Sequence, residues 1–258
     1  MLTKDLAICI RAIDYSETSQ IVSFFTRAAG KIDAIAKGSK RPKSPFDGPI
    51  EVLSHGNIVF IDSNREKLAT LTEFQQQPVL RNLYSNLFVL HCCLFGAELL
   101  NKLTDDYDPH PGLFDGFLEF LQNANGQHSA GGRQRDILAL LILFQLTLLK
   151  EIGLQPILSH CVNCKTSYST RRLTAESRAA GNELYFSSSA NGLICRDCEP
   201  SFTDKIRLTK EASACLASLK QIPGSEEKTL KEIEKVLINH LTLLLGRTPK
   251  MAKHILGN

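Results

Sequence analysis

The chain reads as an α+β protein: a five-stranded OB-like β-barrel at the N-terminus, followed by an α-helical domain carrying a four-cysteine insert. Three observations predict this. Short apolar, β-branched runs separated by turn residues occupy residues 1–78. From 79 to 258 the apolar residues recur at helical spacing. Two C-x₂-C pairs, Cys161/Cys164 and Cys195/Cys198, interrupt that helical half at about 157–203.

The strands are expected at 6–10, 21–25, 31–36, 50–53, 57–61 and 68–72, with Gly30 turning the second into the third. His55 and Gly56 read as a turn or bulge. Five or six short strands at this spacing suit a small closed barrel. A Greek-key OB barrel fits best, although an SH3-like barrel has the same periodicity.

After Pro78 the pattern changes. Leu80, Leu83, Leu87, Leu90, Leu94 and Leu99 form a helical stripe ending near Leu103. Asp105, Asp106 and Asp108 with Pro109 form an acidic break, read as helix-capping aspartates rather than a metal site. A second helix covers 113–121, and the glycines at 126, 131 and 132 mark a linker. Residues 137–149 are apolar except for Gln145 and Thr147. That stretch is short of the roughly 20 residues of a membrane span, so it is a buried helix and no membrane role is expected. A strand at 183–187 and a turn at Asn191–Gly192 deliver Leu193 and Ile194 into Cys195 as a hairpin. Helices then cover 209–221 and 226–245, the latter with Ser225 as its N-cap.

The bulk numbers are permissive. At 258 residues and 43% hydrophobic, there is material for two domains and ample core. A net charge of +3 does not compel a polyanion partner, so any such site must come from local clustering. The N-terminus lacks the basic start and apolar run of a signal peptide. Eight cysteines without such a signal suggest a reducing cytoplasm. Cys9, Cys92, Cys93 and Cys215 lie among apolar residues and read as core fillers.

Cys161, Cys164, Cys195 and Cys198 have the spacing of two bidentate clips on one tetrahedral Zn²⁺. Four thiolates leave no open coordination position, so the ion is structural. Lys165, Arg171, Arg172 and Arg196 lie near enough in sequence to offset the resulting negative charge. A redox dithiol, two disulfides or four unrelated buried cysteines are the competing readings, and His160 is a substitute ligand.

Lys37, Lys40, Arg41 and Lys43 fall within seven residues, interrupted by Gly38 and Pro42. They form an exposed loop at the end of the third strand, able to follow a phosphate backbone or simply to be solvated. A second cationic cluster, Arg247, Lys250 and Lys253, lies near the C-terminus. No phosphate loop, dinucleotide fingerprint, zinc-protease helix or nucleophile elbow is present, and the seven histidines are scattered. The chain reads as a binding protein, not an enzyme.

Three stretches carry a resemblance to a known family: 36–44 around the basic loop, Gly192-Leu193-Ile194-Cys195 before the second cysteine pair, and 245–250 near the end. With the order barrel, helical domain and C-x₂-C insert, the chain resembles the bacterial RecO family of recombination mediators over nearly its full length. Lys165 stands where zinc-bearing members commonly have glycine, and Met251-Ala252-Lys253 replaces a serine-arginine pair. The resemblance implies binding of single- and double-stranded DNA and annealing of complementary strands without ATP. It also implies work with RecR to place RecA on strands coated by single-stranded-DNA-binding protein, in the bacterial cytoplasm at the nucleoid. On it, Lys37, Lys40, Arg41 and Lys43 contact phosphate, with Arg247, Lys250 and Lys253 as further candidates and Arg11, Arg27 and Lys31 as possible extensions. It implies one structural Zn²⁺ on Cys161, Cys164, Cys195 and Cys198. A zinc-ribbon regulator of transcription or RNA and a C-x₂-C redox protein are the alternatives.

Overall fold

The computed structural model describes residues 2–46, 48–62, 68–78, 80–127, 134–168 and 183–256. They divide into two compact units, 1–130 and 131–258.

The first unit is built on a closed barrel of β1 (Leu2–Asp14), β2 (Gln20–Thr26), β3 (Gly30–Ala36), β4 (His55–Ile61) and β5 (Ala69–Gln76). Strand order is β1-β2-β3-β5-β4, with β4 returning to β1 and β3 lying parallel to β5. That is OB topology. One strand must serve two neighbours for the sheet to close. β1 pairs with β4 through Leu2–Ile8 and with β2 through Ala7–Asp14, and its register shifts between Cys9 and Arg11. A bulge there bends the strand from one partner to the next.

The barrel interior alternates large and small side chains. Phe24 and Phe74 meet edge to face at 5.4 Å, while Ala7, Ala34, Ala36 and Ala69 make room for Phe46, Ile58 and Phe60. Gly56 lies inside β4 because a side chain there would reach within 2.2 Å of the Gln75 carbonyl oxygen. Its expected turn is therefore part of a strand, made possible by close approach of β5.

Residues 50–53, expected as a strand, are a turn. Ile50 and Leu53 are buried as strand residues would be, but Leu53 has φ +73°. The Ile50 backbone pairs instead with a side chain: its N–H donates to Gln20 Oε1 at 2.9 Å, and its carbonyl accepts from Gln20 Nε2 at 3.2 Å. The buried Gln20 amide takes the place of a neighbouring strand.

The same unit holds a 3₁₀ turn (Arg81–Ser85), α1 (Leu87–Leu103) and α2 (Pro111–Gln127). The leucine stripe suggested one helix from residue 79, but α1 starts only at Leu87. Asn86 caps it by accepting from the Phe88 and Val89 amides. The acidic break is tied to the barrel. Lys31 Nζ donates to the Asn101 and Thr104 carbonyls at the end of α1 and pairs with Asp106 at 3.2 Å. Arg27 makes two 2.8 Å hydrogen bonds to the Asp115 carboxylate.

The second unit contains α3 (Gln134–Glu151), β6 (Leu184–Ser187), β7 (Gly192–Cys195), β8 (Lys205–Arg207), α4 (Lys210–Ala217), α5 (Glu227–Leu245) and α6 (Ala252–Leu256). α3 packs on α5, and the strands form a sheet of order β7-β6-β8. Thr209 caps α4. Ser225 does not cap α5: its hydroxyl donates to the Gln221 carbonyl and the N-cap position is Glu226.

Between α3 and α5 lies a buried carboxyl. Gln145 Nε2 donates to both Glu234 oxygens at 2.8 and 2.9 Å, while Gln145 Oε1 has no partner among the described residues. Burial pushes the Glu234 carboxyl up to about 8, against the opposing Gln145 hydrogen bond. In the window between the ordinary carboxylate value and about 8, the folded chain holds a proton that the unfolded chain has released. Stability is therefore lost as pH rises through that window. Glu234→Gln removes the titration and gives Gln145 Oε1 an amide donor. Relative to the unsubstituted chain, the variant is expected to gain stability between about pH 5 and about pH 8, by up to about 1.4 kcal/mol per unit. Denaturant midpoints across pH check this, and parallel profiles would refute it.

Candidate nucleic-acid interface and metal centre

Two places in the chain gather chemistry: one rim of the barrel in the first unit, and the four cysteines in the second.

The rim is made where β3 ends. Gly38, at φ +74°, turns the chain, and the Arg41 N–H closes the turn on the Gly38 carbonyl at 3.0 Å. The β1–β2 turn holds it in place. Lys40 N–H donates to the Thr18 carbonyl at 3.1 Å, and Gly38 N–H to the Ser19 hydroxyl at 3.1 Å. Below, the Ser39 hydroxyl donates at 2.9 Å to Gln20 Oε1, the atom that also receives the Ile50 amide. Gly38 and Ser39 are buried, so the turn is part of the barrel and not a loose flap. Lys37, Arg41 and Lys43 project exposed from it. Lys40 is half-buried and paired with Asp14 at 2.7 Å.

The four predicted barrel cations thus share one fixed rim. Arg247 and Lys250 are exposed but belong to the second unit, as does Lys253. Arg11 is exposed, whereas Arg27 and Lys31 are committed to Asp115 and to the α1 terminus. Gln20 and Ser19, which position the turn, carry no charge and no motif, so the sequence offered no signal for them. Phe24, Phe25 and Phe46, the aromatics nearest the rim in sequence, are all buried.

In the second unit the sulfurs of Cys161, Cys164, Cys195 and Cys198 all lie within 4.8 Å of one another. A tetrahedral ion with metal–sulfur bonds of about 2.3 Å has sulfurs about 3.8 Å apart. The Cys164 and Cys195 sulfurs are 3.7 Å apart. All four are free thiols, which excludes disulfides between them in this structure.

The local backbone explains the convergence. Ile157 and Val162 add to the hairpin: Ile157 N–H bonds the Asn191 carbonyl, Leu193 N–H bonds Ile157, and Val162 N–H bonds Leu193. That places the first clip over the end of β7. Gly192 permits the approach, since a side chain there would come within 2.4 Å of the Ile157 carbonyl oxygen. The sulfurs are surrounded by donors. Cys195 N–H points at Cys161 Sγ at 3.5 Å, and Asn163 Nδ2 at Cys198 Sγ at 3.3 Å. Burial pushes the Cys161 thiol up, but the amides of Cys164, Cys195 and Asn163 outweigh it and hold that thiol at about 6. Burial pushes Cys195 up to about 12. By themselves the sulfurs cannot all ionise side by side; a divalent cation removes that conflict.

Ile194 lies beneath the cluster, with Val162, Tyr168, Tyr185 and Phe202 packed around it. His160 hydrogen-bonds Ser159 and is not among the four. Lys165 stands at φ +62°, a conformation that favours glycine, and its Nζ closes on the Val162 carbonyl at 2.7 Å. Arg196 is exposed; Arg171 and Arg172 lie outside the described residues.

Both halves of the chain are similar to known proteins. Residues 1–77 match the family model described as "Recombination protein O N terminal", and 84–254 match "Recombination protein O C terminal". The chain is 31% identical over 225 residues to the "DNA repair protein RecO" of Rhodopirellula baltica, covering 87% of this chain and 77% of that protein. It is 32% identical over 198 residues to that of Bacillus subtilis, covering 77% and 69%. The protein of the same name from Alkaliphilus metalliredigens aligns over 99% of this chain and 100% of its own length, at 27% identity.

Proposed function

The chain belongs to the recombination protein O family of DNA repair proteins, and from that membership we propose that it is a non-catalytic mediator of recombination. It binds single- and double-stranded DNA at the barrel rim and anneals complementary strands. With RecR it helps to load RecA onto strands coated by single-stranded-DNA-binding protein. It works in the bacterial cytoplasm, at the nucleoid.

The observation that carries this reading is the cationic turn locked to the barrel through Gly38, Lys40 and Ser39. Annealing brings two polyanions together, so the protein must screen their repulsion while base pairing supplies the driving force. Lys37, Lys40, Arg41 and Lys43 provide the screening charge on a fixed scaffold, with Arg247 and Lys250 as further contacts. Phosphate contacts carry no sequence information, so base specificity is slight.

Cys161, Cys164, Cys195 and Cys198 hold one structural Zn²⁺ that fastens the hairpin of the second unit. Convergence of all four sulfurs on one point supports this over a thiol redox role, which needs one exposed reactive pair.

The test is binding of a labelled single strand over a salt series, with annealing of complementary strands followed in parallel. Log affinity is expected to fall linearly with log salt, by about 0.7 for each phosphate neutralised. Pairing of the strands is expected to accelerate as protein is added. Salt-indifferent binding, or no acceleration, would overturn the reading.

A further inference from the structure

Tyr15 sits in the β1–β2 turn, beside the cationic rim, with 63% of its surface exposed. The barrel otherwise hides its aromatic rings: Phe24, Phe25, Phe46, Phe60 and Phe74 are all buried. Tyr84 in the same unit is also exposed, but its hydroxyl donates to the Val52 carbonyl, which gives it a structural role. Tyr15 has no such bond through its hydroxyl among the described residues.

The turn that presents Tyr15 is well fastened. Its N–H and that of Ser16 donate to the Ser19 carbonyl at 3.0 and 3.2 Å. The Ser19 N–H in turn donates to the Ser16 hydroxyl at 3.1 Å. Lys40 and Gly38 bond to Thr18 and Ser19, so the ring and the cations are carried by one hydrogen-bonded unit. Asp14 and Glu17 flank Tyr15 and are exposed, Asp14 pairing with Lys40, but the strand surface behind the ring carries an apolar strip. Ile13, two residues earlier and 41% exposed, opposes Ile21 across β1–β2, and Ile21 opposes Ile35 across β2–β3, both half-buried. An exposed ring, an aliphatic strip and a line of cations together suit a ligand that is flat and apolar on one side and anionic on the other.

We propose that Tyr15 is a stacking residue for an unpaired base, with the Ile13–Ile21–Ile35 strip beside it, while the phosphates of the same strand run along Lys37, Lys40 and Arg41. The proposal rests on the DNA-binding reading above and adds a preference for single strands. In a duplex the bases are already stacked on each other and their faces are closed to a protein ring. A ring on the β1–β2 turn of an OB barrel lies where this fold meets oligonucleotides. Because the turn is already ordered, stacking costs little further conformational entropy.

The test compares the unsubstituted chain, Tyr15→Ala and Tyr15→Phe on three labelled probes: an oligothymidylate, an abasic strand of equal length and a duplex, each over a salt series. Tyr15→Ala is expected to weaken oligothymidylate binding by at least about 5-fold. The salt slope should stay unchanged, because no phosphate contact is lost. Tyr15→Phe keeps the stacking face and should bind within about 2-fold of the unsubstituted chain. On the abasic strand and the duplex, Tyr15→Ala should lose nothing. The proposal is overturned if Tyr15→Ala binds oligothymidylate as the unsubstituted chain does, or if its loss is equal on all three probes. A chain that binds none of the probes would instead overturn the DNA-binding reading itself.

Discussion

Cys161→Ser is expected to bring bound zinc well below one ion per chain, and to loosen the two cysteine clips while leaving β6, β7 and the α3–α5 core standing. The reason lies in what supports each part. α3 and α5 bury Leu138, Leu141, Ile142, Ile233, Leu237 and Leu241, a core independent of the cysteines. β6 and β7 also have support of their own, since Leu184, Phe186 and Leu193 are buried and Phe186 meets His240 of α5 edge to face. The apolar cluster at the four sulfurs is smaller: Cys161, Ile194 and Cys198 are its buried members, with four partly buried neighbours besides Cys195. So small an apolar cluster does not by itself offset the ordering of the two clips. Structural zinc supplies about 10–16 kcal/mol of apparent binding free energy in small domains at neutral pH, and a serine hydroxyl does not replace a thiolate. Metal analysis measures the first effect and limited proteolysis around residues 157–203 the second, with helical circular dichroism as the control. Chelation of the unsubstituted protein should reproduce the cleavage. A metal-free protein that resists proteases to the same degree would sink the zinc assignment.

What was readable in the sequence follows from how local each determinant is. The cysteine set was complete because two C-x₂-C spacings encode their own geometry. The barrel was legible because inward residues alternate along β3 and β4, and that period survives in a single strand. Residues 50–53 misled because Ile50 and Leu53 are buried by the barrel end, while the partner that satisfies Ile50 is Gln20, thirty residues away. β8 went unseen since a three-residue strand, Lys205–Arg207, is too short to show a period. Lys31 looked like a surface cation; only the tertiary fold brings the α1 carbonyls to it. Tyr15 gives no signal in the sequence for the same reason, because nothing local to it says that the cationic turn will be fastened beside it.

The rim makes the other large prediction. Replacing Lys37, Lys40, Arg41 and Lys43 together by alanine is expected to make the slope of log affinity against log salt shallower by roughly 3, about 0.7 per phosphate. Over the range from about 50 to about 200 mM salt, a change of that size removes most of the salt dependence of a site with few phosphate contacts. The fold should survive, because the turn is held by main-chain bonds at Gly38, Lys40 and Arg41 and by the Ser39 hydroxyl. None of these needs a substituted side chain. The four residues should not contribute equally. Lys40 already pairs with Asp14, so a phosphate must compete for it, whereas Lys37, Arg41 and Lys43 are exposed. Lys40→Ala alone should therefore change the slope less than Arg41→Ala, and Asp14→Asn should tighten binding by freeing Lys40. The exposed end of that ion pair limits the gain to about 1 kcal/mol. Equal slopes in the fourfold variant and the unsubstituted chain would leave the turn as solvated charge and move the DNA contact to Arg247 and Lys250. A slope that shallows while Tyr15 still discriminates single strands from duplex would separate phosphate attraction from base stacking on the same rim.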